Sequence, residues 1–244
     1  MAFNETGHYK NVANLNLLIG YITSYGANYA PTKGTIKIEN LQALYQAGQD
    51  NVEAVQTAKN NYSQKVDERE EAFKNIKTFS TRVVANLSGT NVSEQTIKDS
   101  KSINAKIQAS KASKPKINPE NPELVDPTAA AHSTSRQSYD SLYENFNDMV
   151  SLLKIAPGYD TNHAEFQIDG LTAFAQKLKT TNEKINDAVV EVTNKRTQRD
   201  NLLYAPTTGL VDAALEAKKY IKGLFGATSP QFKTVNSINF KNNK

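Results

Sequence analysis

The sequence predicts an all-α protein, an elongated helical bundle built from two tandem related helical repeats. Each repeat carries a short helix, a long coiled-coil-like helix and a short C-terminal helix. Three observations lead to that reading. The first is internal repetition: residues 38–73 lie over 168–203 without a gap, 130 positions apart. Ile38 meets Ile168, Leu41 meets Leu171, Gln46 meets Gln176, Glu53 meets Glu183, Ala58 meets Ala188, Lys65 meets Lys195 and Arg69 meets Arg199. Where identity fails, apolar character holds, as in Leu44 with Phe174, Val55 with Ile185 and Tyr62 with Val192. The second observation is apolar spacing of three and four residues, the signature of a buried helical face. The third is the lack of a strand pattern. The only β-like alternations, at 35–38 and 166–168, each precede a long helix and are expected to pack as extended entry segments.

Taken in order, residues 1–8 read as a lead-in. From 9 to 25 the apolar residues Val12, Leu15, Leu18, Ile19 and Ile22 mark a first amphipathic helix, with Gly26 and Asn28 as stops. The long seam then runs Leu41, Leu44, Gly48, Val52, Val55, Ala58, Tyr62, Val66, Arg69, Phe73, Ile76, Phe79 or Ser80, Val83 and Leu87. Uninterrupted, residues 39–87 would extend roughly 74 Å. A compact chain of this length has a diameter of roughly 45 Å. Either the molecule is elongated or the helix breaks, most plausibly near 74–78. Ser93 is expected to cap a third helix ending near Gln108.

Residues 110–138 hold Pro115, Pro119, Pro122 and Pro127, half of the chain's eight prolines, and read as a linker. The chain thus divides into a first repeat at 1–109, the linker, and a second repeat at 139–244. In the second copy Tyr139 lies over Tyr9, and a second long helix begins at Asp169. Residues 204–209, which contain Pro206 and Gly209, break it where the first copy has neither proline nor glycine. Beyond that break the alignment returns at an offset of 137, pairing Leu87 with Leu224 and Gly89 with Gly226. Ser229 and Pro230 then repeat the Ser93 start.

The totals exclude several chemistries. With no cysteine among 244 residues, disulfides, thiolate nucleophiles, cysteine zinc sites and iron–sulfur clusters are ruled out. The balance of 29 basic and 25 acidic residues gives a net charge of +4; the signs are interleaved, so no nucleic-acid stripe is indicated. The longest near-apolar run, 17–22, is far short of the roughly 20 residues that span a bilayer. No transmembrane helix is expected. The first residues lack the basic and apolar regions of a signal peptide, so the expected location is cytoplasmic, or exported without a cleaved signal.

Each candidate for chemistry has a plainer explanation beside it. His8, His132 and His163 lack partners at metal-ligand spacing and read as surface histidines. The run from Lys65 to Glu71 reads as a solvated helix face with pairs such as Glu70–Lys74. Arg69 and Arg199 occupy matching seam positions where an apolar residue is expected. They pair with acids such as Glu68 or Asp200 to fix register, snorkel at the surface, or hold an anionic ligand. Lys218, Lys219, Tyr220 and Lys222 form the nearest approach to a basic and aromatic stacking surface. No phosphate-binding loop and no nucleophile elbow is present. No catalytic residue, cofactor or metal is therefore expected.

The phrases FNETGHYKNVAN, from Phe3 to Asn14, and GATSPQF, from Gly226 to Phe232, resemble an uncharacterised family of bacterial all-helical proteins, chiefly from Bacteroidota. The resemblance covers most of the chain and implies a bacterial origin.

The function expected from these observations is non-enzymatic: a structural or interaction bundle that self-assembles or presents helical faces to a protein partner. The first alternative is a membrane-active, pore-forming-like protein that inserts only after a change of shape, using the apolar segments 15–22 and 149–155. The second is a weak nucleic-acid binder using the lysines around Tyr220 and the basic tail.

Overall fold

The computed structural model describes residues 6–109 and 137–242. Apolar residues at helical spacing produce eight α-helices among them: α1 (Thr6–Ser24), α2 (Ile38–Phe73), α3 (Ile76–Asn86), α4 (Glu94–Ile107), α5 (Tyr139–Ile155), α6 (Ile168–Tyr204), α7 (Leu210–Phe225) and α8 (Pro230–Asn236). No strand occurs among the described residues, and the fold is an all-α helical bundle. The expected linker falls almost wholly outside the described residues, as does His132.

Local chemistry sets the helix limits. Ser93, Ser138 and Ser229 each cap a helix, their Oγ atoms accepting from the backbone N–H of Thr96, Ser141 and Phe232 at 3.2, 3.1 and 3.1 Å. Pro230 occupies the first turn of α8, where its missing N–H is not needed. The long seam breaks at Lys74 and Asn75, between α2 and α3, within the stretch where a break was expected. Between α6 and α7 the chain turns through Pro206 and Thr207. Thr207 takes φ 66°, and its N–H donates to Asp212 Oδ2 at 2.8 Å. The entry segments are not extended. Residues 34–36 and 164–166 coil into single 3-10 turns, each flanked by one extended residue on either side, Lys33 and Lys37 at the first and His163 and Gln167 at the second. The turns are fixed from outside: Tyr29 Oη donates to Ile36 O, and Tyr159 Oη donates to Phe166 O.

The chain forms two compact units. Unit 1 comprises Met1–Tyr62 and Ala188–Lys244; unit 2 comprises Ser63–Asp187. Neither coincides with a sequence copy. The unit 1 core joins Leu15, Leu18, Ile22, Leu41 and Val52 to Leu203, Leu210, Ala214, Ala217 and Ile221. The unit 2 core joins Phe73, Ile76, Val83, Leu87 and Ile107 to Phe146, Met149, Leu153, Leu171 and Leu178. Among the short helices α1 packs with α7 and α5 with α4. The boundary between the units crosses α2 and α6, so each long helix gives residues to both cores.

Burial also corrects the alignment outside the long helices. The fully or nearly buried Leu15, Leu18, Ile19 and Ile22 of α1 correspond to Phe146, Met149, Val150 and Leu153 of α5, an offset of 131 rather than 130. Glu216 meets Lys33 and Thr35, while Arg82 meets Glu165, so α3 and α7 correspond at an offset of 134 rather than 137. Their buried residues agree: Ile76, Ser80, Val83 and Leu87 with Leu210, Ala214, Ala217 and Ile221. The insertion after α6 is thus four residues, about one helical turn, which leaves the apolar face roughly in phase.

Since each core draws on residues from both sides of the undescribed segment 110–136, cutting the chain there is expected to leave its two fragments associated. A protease site inserted after Ser113 tests this. The cleaved protein should elute as one species in buffer and as two in denaturant; separation in buffer would show that the cores do not depend on both halves.

Candidate functional site

The fold buries polar side chains in both units, Ser80, Thr96, Ser100, Asn145 and Asn182 in unit 2 and His8, Asn11, Arg199 and Lys218 in unit 1; three of the latter stand on α1 and α7. In α1 the positions facing the core run His8, Asn11, Val12, Leu15, Leu18, Ile19 and Ile22. Two of these are polar. Asn11 is 2% exposed and His8 7%. His8 Nδ1 lies 2.8 Å from Tyr204 Oη, and Asn11 Nδ2 donates to the same oxygen at 3.2 Å. Tyr204, the last residue of α6, is itself buried. Asn11 also pairs in both directions with one residue of the segment after α8. Its Nδ2 donates to Lys241 O at 2.7 Å, and its Oδ1 accepts from Lys241 N–H at 3.1 Å. A buried amide satisfied at both ends avoids the roughly 1–3 kcal/mol cost of an unpaired polar group.

Lys218, on α7, is the second anchor. Its side chain is buried, and Nζ donates to the carbonyls of Asn236 and Ile238 at 3.1 and 2.8 Å. Asn236 ends α8, where a cation is favoured by the helix dipole, and Ile238 lies just past its cap. Burial lowers the Lys218 pKa below the usual lysine value.

The four residues expected to form one basic and aromatic surface are accordingly divided. Lys218 is buried. Tyr220 is half-buried, its ring set edge-on to Tyr29 at 5.3 Å between centroids. Lys219 is exposed. Lys222 is also exposed and sits 5.8 Å from the centre of the Phe232 ring.

The matching arginines reach different solutions. Arg199 is 4% exposed; its Nε and Nη2 both donate to Asp200 Oδ1, at 3.0 and 2.8 Å. Arg69 does not pair with Glu68, which takes Lys65 at 2.7 Å instead. That hydrogen bond from Lys65 holds the Glu68 carboxyl below the usual carboxylate range. The Arg69 guanidinium lies 4.2 Å above the Tyr139 ring, a cation–π contact, and its buried Nε has no hydrogen-bond partner. The two arginines lie in different units. Nearby, Lys74 pairs with Glu71 at 3.2 Å rather than with Glu70.

Of the histidines read as surface residues, His163 is exposed and lies edge-on to Phe166, but His8 is buried. The lead-in is shorter than expected, and α1 begins at Thr6. The signal was present in the sequence: His8 and Asn11 stand on the apolar stripe, at helical spacing from Leu15. Among the described residues no three His, Asp or Glu side chains gather as a metal site. A groove of about 590 Å³ runs between α1 and α2, rimmed by Tyr9, Asn16, Tyr45, Gln49, Glu53 and Asn60.

Compared with known proteins, the chain matches no family model, no curated protein and no solved structure.

Two predictions follow from the buried polar groups. Lys218→Met leaves the carbonyls of Asn236 and Ile238 without their donor and should cost about 1.5–3 kcal/mol in urea unfolding, the range for hydrogen bonds to a charged group. Tyr29 and Tyr159 are both pushed above the usual tyrosine value of 10.0, chiefly by burial. An acid with a raised folded pKa keeps its proton longer folded than unfolded. Stability should therefore fall as pH rises through 10.0. Tyr29→Phe and Tyr159→Phe should each lose about 1 kcal/mol at neutral pH, from the lost hydrogen bond, and should flatten the alkaline decline. Urea denaturation between pH 7 and 11 measures both effects, and an unchanged alkaline slope in both variants would refute the assignment.

Proposed function

We propose that this protein is a non-enzymatic interaction protein that presents its long helices to a second copy or to a protein partner. The reading rests chiefly on an exposed apolar site in unit 1. Asn61 of α2 donates to Glu191 of α6 at 3.2 Å. Tyr62, Val189 and Val190 all lie within one helical turn of that contact, and they are 37, 45 and 58% exposed. Beside them Ala58, Ala188 and Val192 are buried, so the helices direct apolar residues both inward and outward here. Exposed apolar side chains on neighbouring turns of two paired long helices offer faces to a partner. The duplicated seam supports the same reading, since it supplies long helical faces without tying them to a ligand.

The membrane-active alternative gains no support. Its two candidate segments supply Leu15, Leu18, Ile22, Met149 and Leu153 to the two cores, and no helix among the described residues is long and apolar enough to cross a membrane. Nucleic-acid binding through Lys218 would require breaking its carbonyl contacts.

Light scattering across a concentration series tests the proposal. The full chain is expected to exceed its monomer mass of 26.9 kDa, and Val189→Glu with Val190→Glu should return it to the monomer. A monomeric wild type that also crosslinks to no protein in its native host would overturn the reading.

A further inference from the structure

The segment that follows α8, residues 237–242, is held in unit 1 through its backbone. Asn11 pairs with both the N–H and the C=O of Lys241. Asn14 Nδ2 donates to Asn239 O at 2.6 Å, and Lys218 Nζ donates to Ile238 O at 2.8 Å. None of these contacts reads a side chain of the segment. The unit 1 core takes Val235 from the last turn of α8 and Ile238 three residues on, 0 and 5% exposed, and Phe240 packs against it. The cleft formed by α1 and α7 therefore receives the last turn of α8 and the backbone that follows it, with apolar residues at a set spacing.

Unit 2 handles the corresponding stretch differently. After its Ser93 cap, α4 stays helical for 14 residues, against seven in α8. At the offset of 131, Leu142 stands in α5 where Asn11 stands in α1, and it is buried among apolar neighbours. A core position that holds leucine in one unit thus holds, in the other, an amide devoted to a passing backbone.

Three properties make this arm releasable. It joins α7 at Gly226, whose φ of +88° favours glycine and whose surroundings are open. Its only helix is seven residues long, too short to be stable alone. Its departure returns the Lys218 ammonium to water and so recovers the desolvation cost that depresses its pKa.

We propose that residues 227–242 are an exchangeable arm, and that the cleft between α1 and α7 takes the same arm from a second copy of this chain. The proposal rests on the self-association reading above and names a contact separate from the exposed valines. The occupant follows from what the cleft requires. A vacated cleft exposes the sites of Val235 and Ile238 together with Asn11, Asn14 and Lys218. The arm of another copy satisfies all of them without a new contact, so only the route of the connection changes, as in domain swapping.

The chain has no cysteine, so engineered thiols are unambiguous. Full-length chains carrying Asn14→Cys are mixed with full-length chains carrying Asn239→Cys, concentrated, and oxidised. As a control, Asn14→Cys chains are mixed with chains carrying cysteine at exposed Lys98 of α4. Exchange is expected to give about a tenfold excess of the mixed 14–239 disulfide over the control, because the docked arm holds the two thiols at high effective concentration. Mixed disulfide at the control level overturns the proposal. A chain carrying both cysteines then shows whether the arm stays with its own unit, by forming only the intramolecular bond. That result leaves self-association by light scattering untouched, so the two readings fail separately.

Discussion

The constraint on which this structure depends is the division of each long helix between two cores. Helices α2 and α6 have 36 and 37 residues, and each serves both units: α2 gives Leu41 and Val52 to one core and Phe73 to the other, and α6 gives Leu203 to one and Leu171 and Leu178 to the other. The apolar faces of α1 and α5 must still be buried, since each carries five or more core residues, each contributing roughly 1.5–3 kcal/mol on burial. Their partners are α7 and α4 respectively, so each core draws on residues from both sides of the segment 110–136.

Within this shared scheme the two units bury different groups; both hold buried polar residues, Ser80, Ser100 and Asn182 among those of unit 2 and Asn11, Arg199 and Lys218 among those of unit 1. Unit 2 closes its exit helix on an aromatic cluster, with Phe79 set 4.7 Å from Phe174 and 5.8 Å from Phe146 between ring centroids. Unit 1 places Ala213 where unit 2 has Phe79, at the same offset of 134, and carries its polar anchors on Asn11, Tyr204 and Lys218. Apolar contact tolerates small shifts in geometry, whereas a buried amide or ammonium demands its partner and is costly without it. The two units resemble each other in backbone plan and differ in which polar groups hold their last helices, Ser80, Asn104 and Gln108 at α4 and Asn11, Asn14 and Lys218 at α8.

Much of the fold was legible in the sequence. Helical spacing, the serine caps and the breaks at Lys74 and Pro206 are local signals, and local physics governs them. The pairing of helices was not legible, because an ungapped repeat shows which residues are equivalent and says nothing of which copy buries them. The one-residue shift at α1 and the four-residue insertion before α7 were hidden for a related reason: a run of apolar residues at spacings of three and four aligns acceptably with itself at several offsets. Of the candidate site, Arg199 met the expected Asp200, while Arg69 met an aromatic ring that no spacing rule indicates. His8 and Asn11 were visible as polar residues on an apolar stripe. What they hold lies more than 190 residues away in sequence, at Tyr204 and Lys241.

Those separations bear on how the chain acquires its structure. Unit 2 is one continuous stretch, 63–187, whereas unit 1 needs both Leu15 and Ile221 before its core exists. Contacts between distant residues carry the larger loop-closure cost and form late. On a ribosome, which releases the N-terminal side first, α1 emerges early with its apolar stripe unmatched and remains so until α7 has been made. Unit 2 has its whole sequence by residue 187. The order of completion is then built into the path of the chain: the continuous unit first, and the unit that contains both described ends of the chain last.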